Sequence, residues 1–230
     1  MVLRDDNFAT IVAAVEEGRT IYDNVRRFVK FSLAGNIAKV AVMLFWPVVI
    51  GLLTGLPGID PVALRPLQLL WLNLMTDGLL GLGLGVEQAE RNVMRRPPVS
   101  PQAGIFSGGV GGHVAWLGLW IGAVTLAVGL AYAAAGRPEW QTMMFTTLAF
   151  AQVFQAIGTR SIRESVFTLN PLGNRLLLGM VAMVSVLQLV VVYLPASETF
   201  FGVQPLSVQD LAVAIGLGAA TLAVMELEKA

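Results

Sequence analysis

Residues 67–86 read LQLLWLNLMTDGLLGLGLGV, twenty positions of which Asp77 alone is charged. The hydrocarbon core of a bilayer is about 30 Å thick and takes about 20 mainly apolar residues as a helix. This run fits that length. A barrel strand would be about ten residues long with alternating polarity, and the run alternates nowhere. Similar stretches lie on both sides. Residues 31–53 are broken only by Lys39 and Pro47, 112–135 and 176–194 carry no Asp, Glu, Lys or Arg, and 141–158 is uncharged and shorter. Residues 207–226 make a further run, with Asp210 near its start. The pattern predicts an all-α, polytopic membrane protein: a bundle of six transmembrane helices.

Composition agrees. Of 230 residues, 56% are apolar and 13% charged, with mean hydropathy +0.72, against roughly 25% charged in soluble domains. Fifteen basic and fifteen acidic side chains cancel, which disfavours a nucleic-acid binder. No cysteine is present, and His113 is the single histidine. Thiolate chemistry and multi-histidine metal sites are thereby excluded.

Twelve basic residues fall before the first run, in alternate loops, or after the last: Arg4, Arg19, Arg26, Arg27, Lys30, Arg91, Arg95, Arg96, Arg160, Arg163, Arg175 and Lys229. The other loops hold only Arg65 and Arg137. The positive-inside rule then puts both termini in the cytoplasm. The N-terminus does not read as a secretory signal, because Arg4, Asp5 and Asp6 follow a short apolar piece at once. Asp6 or Asn7 is a candidate cap for a helix starting near Phe8. Ile11, Val12, Val15, Ile21 and Val25 recur on that helix at helical spacing opposite Glu16, Glu17, Arg19, Asp23 and Arg26. Such an amphipathic face wants a soluble partner. Residues 87–112, with Pro97, Pro98 and Pro101, cannot form one regular helix. They read as a hydrated connector or as a docking surface for a soluble domain.

The chemistry lies in the first two runs. Ionisable residues inside a membrane are costly and usually functional. Asn73, Thr76 and Asp77 are spaced i, i+3 and i+4, which puts them on one helix face. Amide, hydroxyl and carboxylate oxygens suit a hard cation. The alternative for Asn73 and Thr76 is hydrogen bonding to neighbouring helices. Gly78, Gly81, Gly83 and Gly85 would permit local unwinding that frees carbonyl oxygens. In the first run Asn36 and Lys39 are three apart. Left alone, Lys39 and Asp77 would each cost roughly 2.5–3.5 kcal/mol, so pairing between the helices is expected. Snorkelling of Lys39 to the surface would span roughly 13 Å beyond Lys30 at 1.5 Å per residue. Gln152, Gln155 and Gln188 read as inter-helix hydrogen-bonding groups, and His113 as interfacial.

Residues 1–19, MVLRDDNFATIVAAVEEGR, resemble the junction between the phosphorylation domain and the fifth-helix stalk of P-type cation-transporting ATPases. Residues 68–78, QLLWLNLMTDG, are similar to the sixth helix of the calcium-pump branch, and Arg95, Arg96, Pro97, Pro98, Ser100 and Pro101 to the loop after it. The resemblance implies residues 1–30 as the end of the phosphorylation domain and stalk helix, and 31–230 as a six-helix membrane domain. It implies a fragment, lacking the DKTGT, TGE and GDGxND motifs, that does not hydrolyse ATP alone. It would hold no cofactor of its own, while the complete pump would use ATP and Mg2+. The implied partners are the lipid bilayer, a transported inorganic cation and the missing N-terminal catalytic part.

By the same resemblance Asn36 matches a fifth-helix ligand, and Asn73, Thr76 and Asp77 match sixth-helix ligands. Gln152 falls at an eighth-helix glutamate position, where it keeps an oxygen donor and loses a charge, so the implied cation-binding residues are Asn36, Asn73, Thr76, Asp77 and Gln152. Lys39 stands where calcium pumps have a fifth-helix glutamate; an ammonium cannot ligate a metal, so a two-calcium site is not implied. A fourth-helix ligand would lie outside this chain. Asp77, Asn73 and Asn36 are the expected hard-cation set. Two other readings of the residues stand beside this one: a secondary cation or proton transporter exchanging protons at the Lys39–Asp77 pair, and a non-catalytic membrane fragment.

Overall fold

The computed structural model describes residues 8–52, 59–90, 92–98, 104, 106–161 and 165–229. The expected cap at Asp6 or Asn7, the basic positions Arg4, Arg91 and Arg163, and the Ser100–Pro101 motif lie outside the described residues. No strand occurs among the described residues. The long helices are α1 (Phe8–Leu52), α2 (Pro66–Leu84), α3 (Val110–Ala134), α4 (Trp140–Gly158), α5 (Arg175–Tyr193) and α6 (Val208–Lys229). A short helix, Pro195–Phe201, joins α5 towards α6.

Five of these helices, all but α4, are long and apolar enough to cross a membrane. The protein is an integral, multi-pass membrane protein. The run at 141–158 does form a helix, but Gln141, Thr142, Thr146, Thr147, Gln152 and Gln155 dilute its hydropathy. Sixteen of its nineteen residues are buried, so α4 is the axis of the bundle. It packs chiefly against α6 and α3, while α3 in turn lies along α1, and α2 along α5.

The first helix is one continuous element of 45 residues, about 67 Å at 1.5 Å per residue. Its core stripe, Phe31, Ala34, Ala38, Val42 and Trp46, recurs every three or four residues and is fully buried. Small residues let helices approach closely in membranes. At Gly118 of α3 an added Cβ would lie 2.7 Å from the Ala34 carbonyl oxygen and from Ile37, so only glycine fits that crossing.

Within residues 87–112, the described stretches 87–90 and 92–98 are not a free hydrated connector. They fold over the N-terminal half of α1 around a 3-10 turn, Val93–Arg95. Arg19 donates to the Val93 and Arg96 carbonyls at 2.8 Å, and Asn24 to the Glu87 carbonyl at 2.9 Å. Arg27, fully buried, pairs with Glu90 at 2.9 Å. Arg96 reaches Asp23 at 2.7 Å and also pairs with Glu90. At the opposite end of the bundle Asp210 accepts from Tyr132 at 2.5 Å, from Ser207 at 2.7 Å and from Arg137 at 2.8 and 2.6 Å. Hydrogen bonding to Asp210 holds the Arg137 guanidinium above its ordinary pKa.

Candidate functional site

Pro66 occupies the first turn of α2, where its missing N–H costs nothing, and the Arg65 N–H donates to Gln68 Oε1 at 3.1 Å. The helix then widens: Leu72–Gly78 is a π-helical segment between α-helical turns. Such segments are uncommon and concentrate at functional sites. The glycines therefore accompany a widened helix rather than an unwound one. Gly81 and Gly83 instead serve packing, with Phe28 and Leu177 against them.

The widened turn carries Asn73, Thr76 and Asp77 together. Lys39 Nζ donates to Asp77 Oδ2 and to Asn73 Oδ1, both at 2.6 Å. The residue is 4% exposed, so Lys39 pairs across the helix interface and does not snorkel. Gln152 of α4 lies on the other side of the carboxylate. Its Nε2 donates to Asp77 Oδ1 at 2.6 Å, and its Oε1 lies 2.7 Å from the Thr76 hydroxyl. The Thr76 hydroxyl also lies against the Leu72 carbonyl oxygen, an i−4 contact inside the π segment.

The structure thus brings together Lys39, Asn73, Thr76, Asp77 and Gln152. Asn36 makes no hydrogen bond to the carboxylate, whose partners among the described residues are Lys39 and Gln152. It is exposed and lines an open groove of about 540 Å³ with Lys39, Val40, Met43, Leu44, Leu69 and Asn73. The other glutamines do what their positions suggested: Gln155 donates to the Phe31 carbonyl at 3.1 Å, and Gln188 accepts from Trp71 at 2.9 Å. His113 Nδ1 lies 2.6 Å from Glu228 Oε2.

Two features escaped the sequence. The Arg27–Glu90–Arg96 network joins residues more than sixty positions apart, with no spacing signal. Gly35 is the second. A Cβ built there would collide with Gln152 Nε2 and come to 3.6 Å from Asp77 Oδ1. A glycine among the apolar residues just before Asn36 was the available signal.

A buried oxygen-rich cluster around one carboxylate, set in a multi-pass helical bundle, is the equipment of a membrane ion-transport protein. The chain belongs to the family described as Cation transporting ATPase, C-terminus, whose family model matches residues 61–230. It is 39% identical over 229 residues to a calcium-transporting ATPase of Bacillus subtilis (strain 168), covering 95% of this chain and 24% of that protein. It is 32% identical over 250 residues to calcium-transporting ATPase 1 of Bacillus cereus, covering 100% of this chain and 27% of the relative. To a calcium-transporting ATPase of Listeria monocytogenes it is 34% identical over 230 residues, covering 100% and 25%. The chain spans about a quarter of the length of these curated relatives.

Proposed function

We propose that this chain is the C-terminal membrane domain of an ATP-driven P-type cation pump and supplies part of its intramembrane cation site. One observation carries the reading. The Lys39 ammonium stands 2.6 Å from both Asp77 Oδ2 and Asn73 Oδ1. Calcium takes oxygen ligands at 2.3–2.6 Å, so the ammonium occupies the place a cation would take. Asp77 is the central charged ligand, with Asn73 beside it, and Lys39 is a tethered counter-ion that must withdraw when a cation binds. Asn36 and the groove beside it are where a ligand from a further helix would complete the shell. Gln152 supports Asp77, and Thr76 in turn holds Gln152. Calcium is the cation favoured by the relatives' names and by a donor set made only of oxygen.

In this reading all six long helices span the bilayer, α4 enclosed by its neighbours. The half of α1 before residue 31 is a stalk at the end of the phosphorylation domain, and both termini face the cytoplasm. The partners are lipid, the transported cation and an N-terminal catalytic part. ATP and Mg2+ act on that part and not on this chain. Family membership, together with a stalk that needs a soluble partner, favours this over a secondary transporter.

The test is Asp77→Asn in the complete pump. Asparagine keeps the shape and removes the charge, so calcium-stimulated phosphoenzyme formation and vesicle uptake should disappear while the protein still folds. Uptake near the unmodified rate would exclude Asp77 as a ligand.

A further inference from the structure

We infer that Gly35 and Gln152 form a positioning pair for Asp77: the missing side chain at Gly35 is the space in which the Gln152 amide reaches the carboxylate. The inference rests on Asp77 being the cation ligand, as proposed above. Both polar ends of the Gln152 amide are already used. Its nitrogen donates to Asp77 Oδ1 at 2.6 Å, and its oxygen faces the Thr76 hydroxyl at 2.7 Å. Its side chain is fully buried. Gln152 therefore acts as a clamp on the carboxylate and not as a ligand itself. It holds Oδ1 and leaves Oδ2 to Lys39, whose ammonium also reaches Asn73. The carboxylate is thus presented through one oxygen, in one orientation.

Gly35 is what admits the clamp. The nearest heavy atoms to a Cβ built at Gly35 are Gln152 Nε2, in collision, Gln152 Cδ at 3.5 Å and Asp77 Oδ1 at 3.6 Å. All three belong to the site. The collision of an added methyl group is thus with the end of one flexible side chain, and moving the Gln152 amide away from Asp77 relieves it. That separates the role of Gly35 from the packing role of Gly122, where a Cβ would meet Ala41 Cβ at 3.1 Å in the α1–α3 interface.

The experiment is a double-mutant cycle in the complete pump, reading the calcium dependence of phosphoenzyme formation. Gly35→Ala should raise half-saturating calcium by roughly tenfold, the effect of one lost hydrogen bond to a charged group. The maximal level at saturating calcium should not change. Gln152→Met, which removes the amide and leaves Gly35 intact, should give the same rise and carries the test alone if Gly35→Ala does not fold. In the Gln152→Met background Gly35→Ala should add nothing further, because coupled groups are not additive. Gly122→Ala should leave half-saturating calcium in place while lowering the melting temperature. Unchanged half-saturation in Gly35→Ala or in Gln152→Met, or additive shifts in the double variant, would overturn the inference. Asp77→Asn is run in parallel. If it leaves calcium dependence intact, the cation-site reading itself fails; if it abolishes calcium stimulation while the other variants are silent, only the positioning role fails.

Discussion

Lys39 neutralises Asp77 at 2.6 Å with almost no contact to solvent, and that geometry fixes what its removal must do. Breaking a buried pair by deleting one partner typically costs about 3–5 kcal/mol, because the other charge is left uncompensated. Lys39→Met should therefore lower the melting temperature of the cation-free protein, and Asp77→Asn in the same background should restore most of it. Thermal unfolding in detergent checks both. A Lys39→Met protein as stable as its parent would mean that water reaches Asp77. The same residue limits stoichiometry. With a fixed positive charge at the site, the unmodified pump should bind at most one calcium per phosphorylatable site, whereas Lys39→Glu removes that charge and adds a carboxylate. Bound calcium counted against phosphoenzyme decides, and two ions on the unmodified pump would contradict the tethered counter-ion. The pair was legible in sequence because two charges in apolar runs need each other. The direction of the Gln152 amide was not, since an amide of either orientation fits the same spacing.

Among the elements, α1 and the segment after α2 behave as one unit. Arg27 is fully buried and Glu90 nearly so, and Glu90 also pairs with Arg96, which holds Asp23. Glu90→Gln should destabilise the protein by about 3–5 kcal/mol, as expected when a buried charge loses its partner. Arg96 is more exposed, so Arg96→Gln should cost clearly less. Denaturant titration of the two variants ranks them, and equal losses would place the load on the loop backbone rather than on Glu90. The membrane segments of α1, α3 and α5 were readable as long apolar runs, in which Lys39 is the single Asp, Glu, Lys or Arg of residues 31–53, 112–135 and 176–194. Pro97 and Pro98 lie in non-helical backbone, as proline requires. Nothing local indicated that Arg19, Asn24 and Arg27 would grip this loop, since those contacts depend on a tertiary approach.

For the whole molecule, the sequence contains no DKTGT motif, and the purified chain should form no acyl-phosphate. Labelled ATP and a hydroxylamine-sensitivity assay check this; a labelled, hydroxylamine-labile band would refute it. The all-helical, multi-pass character followed from run length alone. The place of α4 did not, because hydropathy reports how a segment suits lipid, and this helix meets mostly protein. Its burial has a consequence for biosynthesis. An insertion machinery that samples one segment at a time weighs each residue against hydrocarbon. For Trp140–Gly158, with three threonine hydroxyls and three glutamine amides, that partition is poor. In the six-span reading proposed above, entry of α4 into the bilayer would depend on α3, whose uncharged length offers the next helix a protein wall in place of lipid. Synthesis order, α3 directly before α4, would then be part of how the axis of this bundle comes to be inside the membrane.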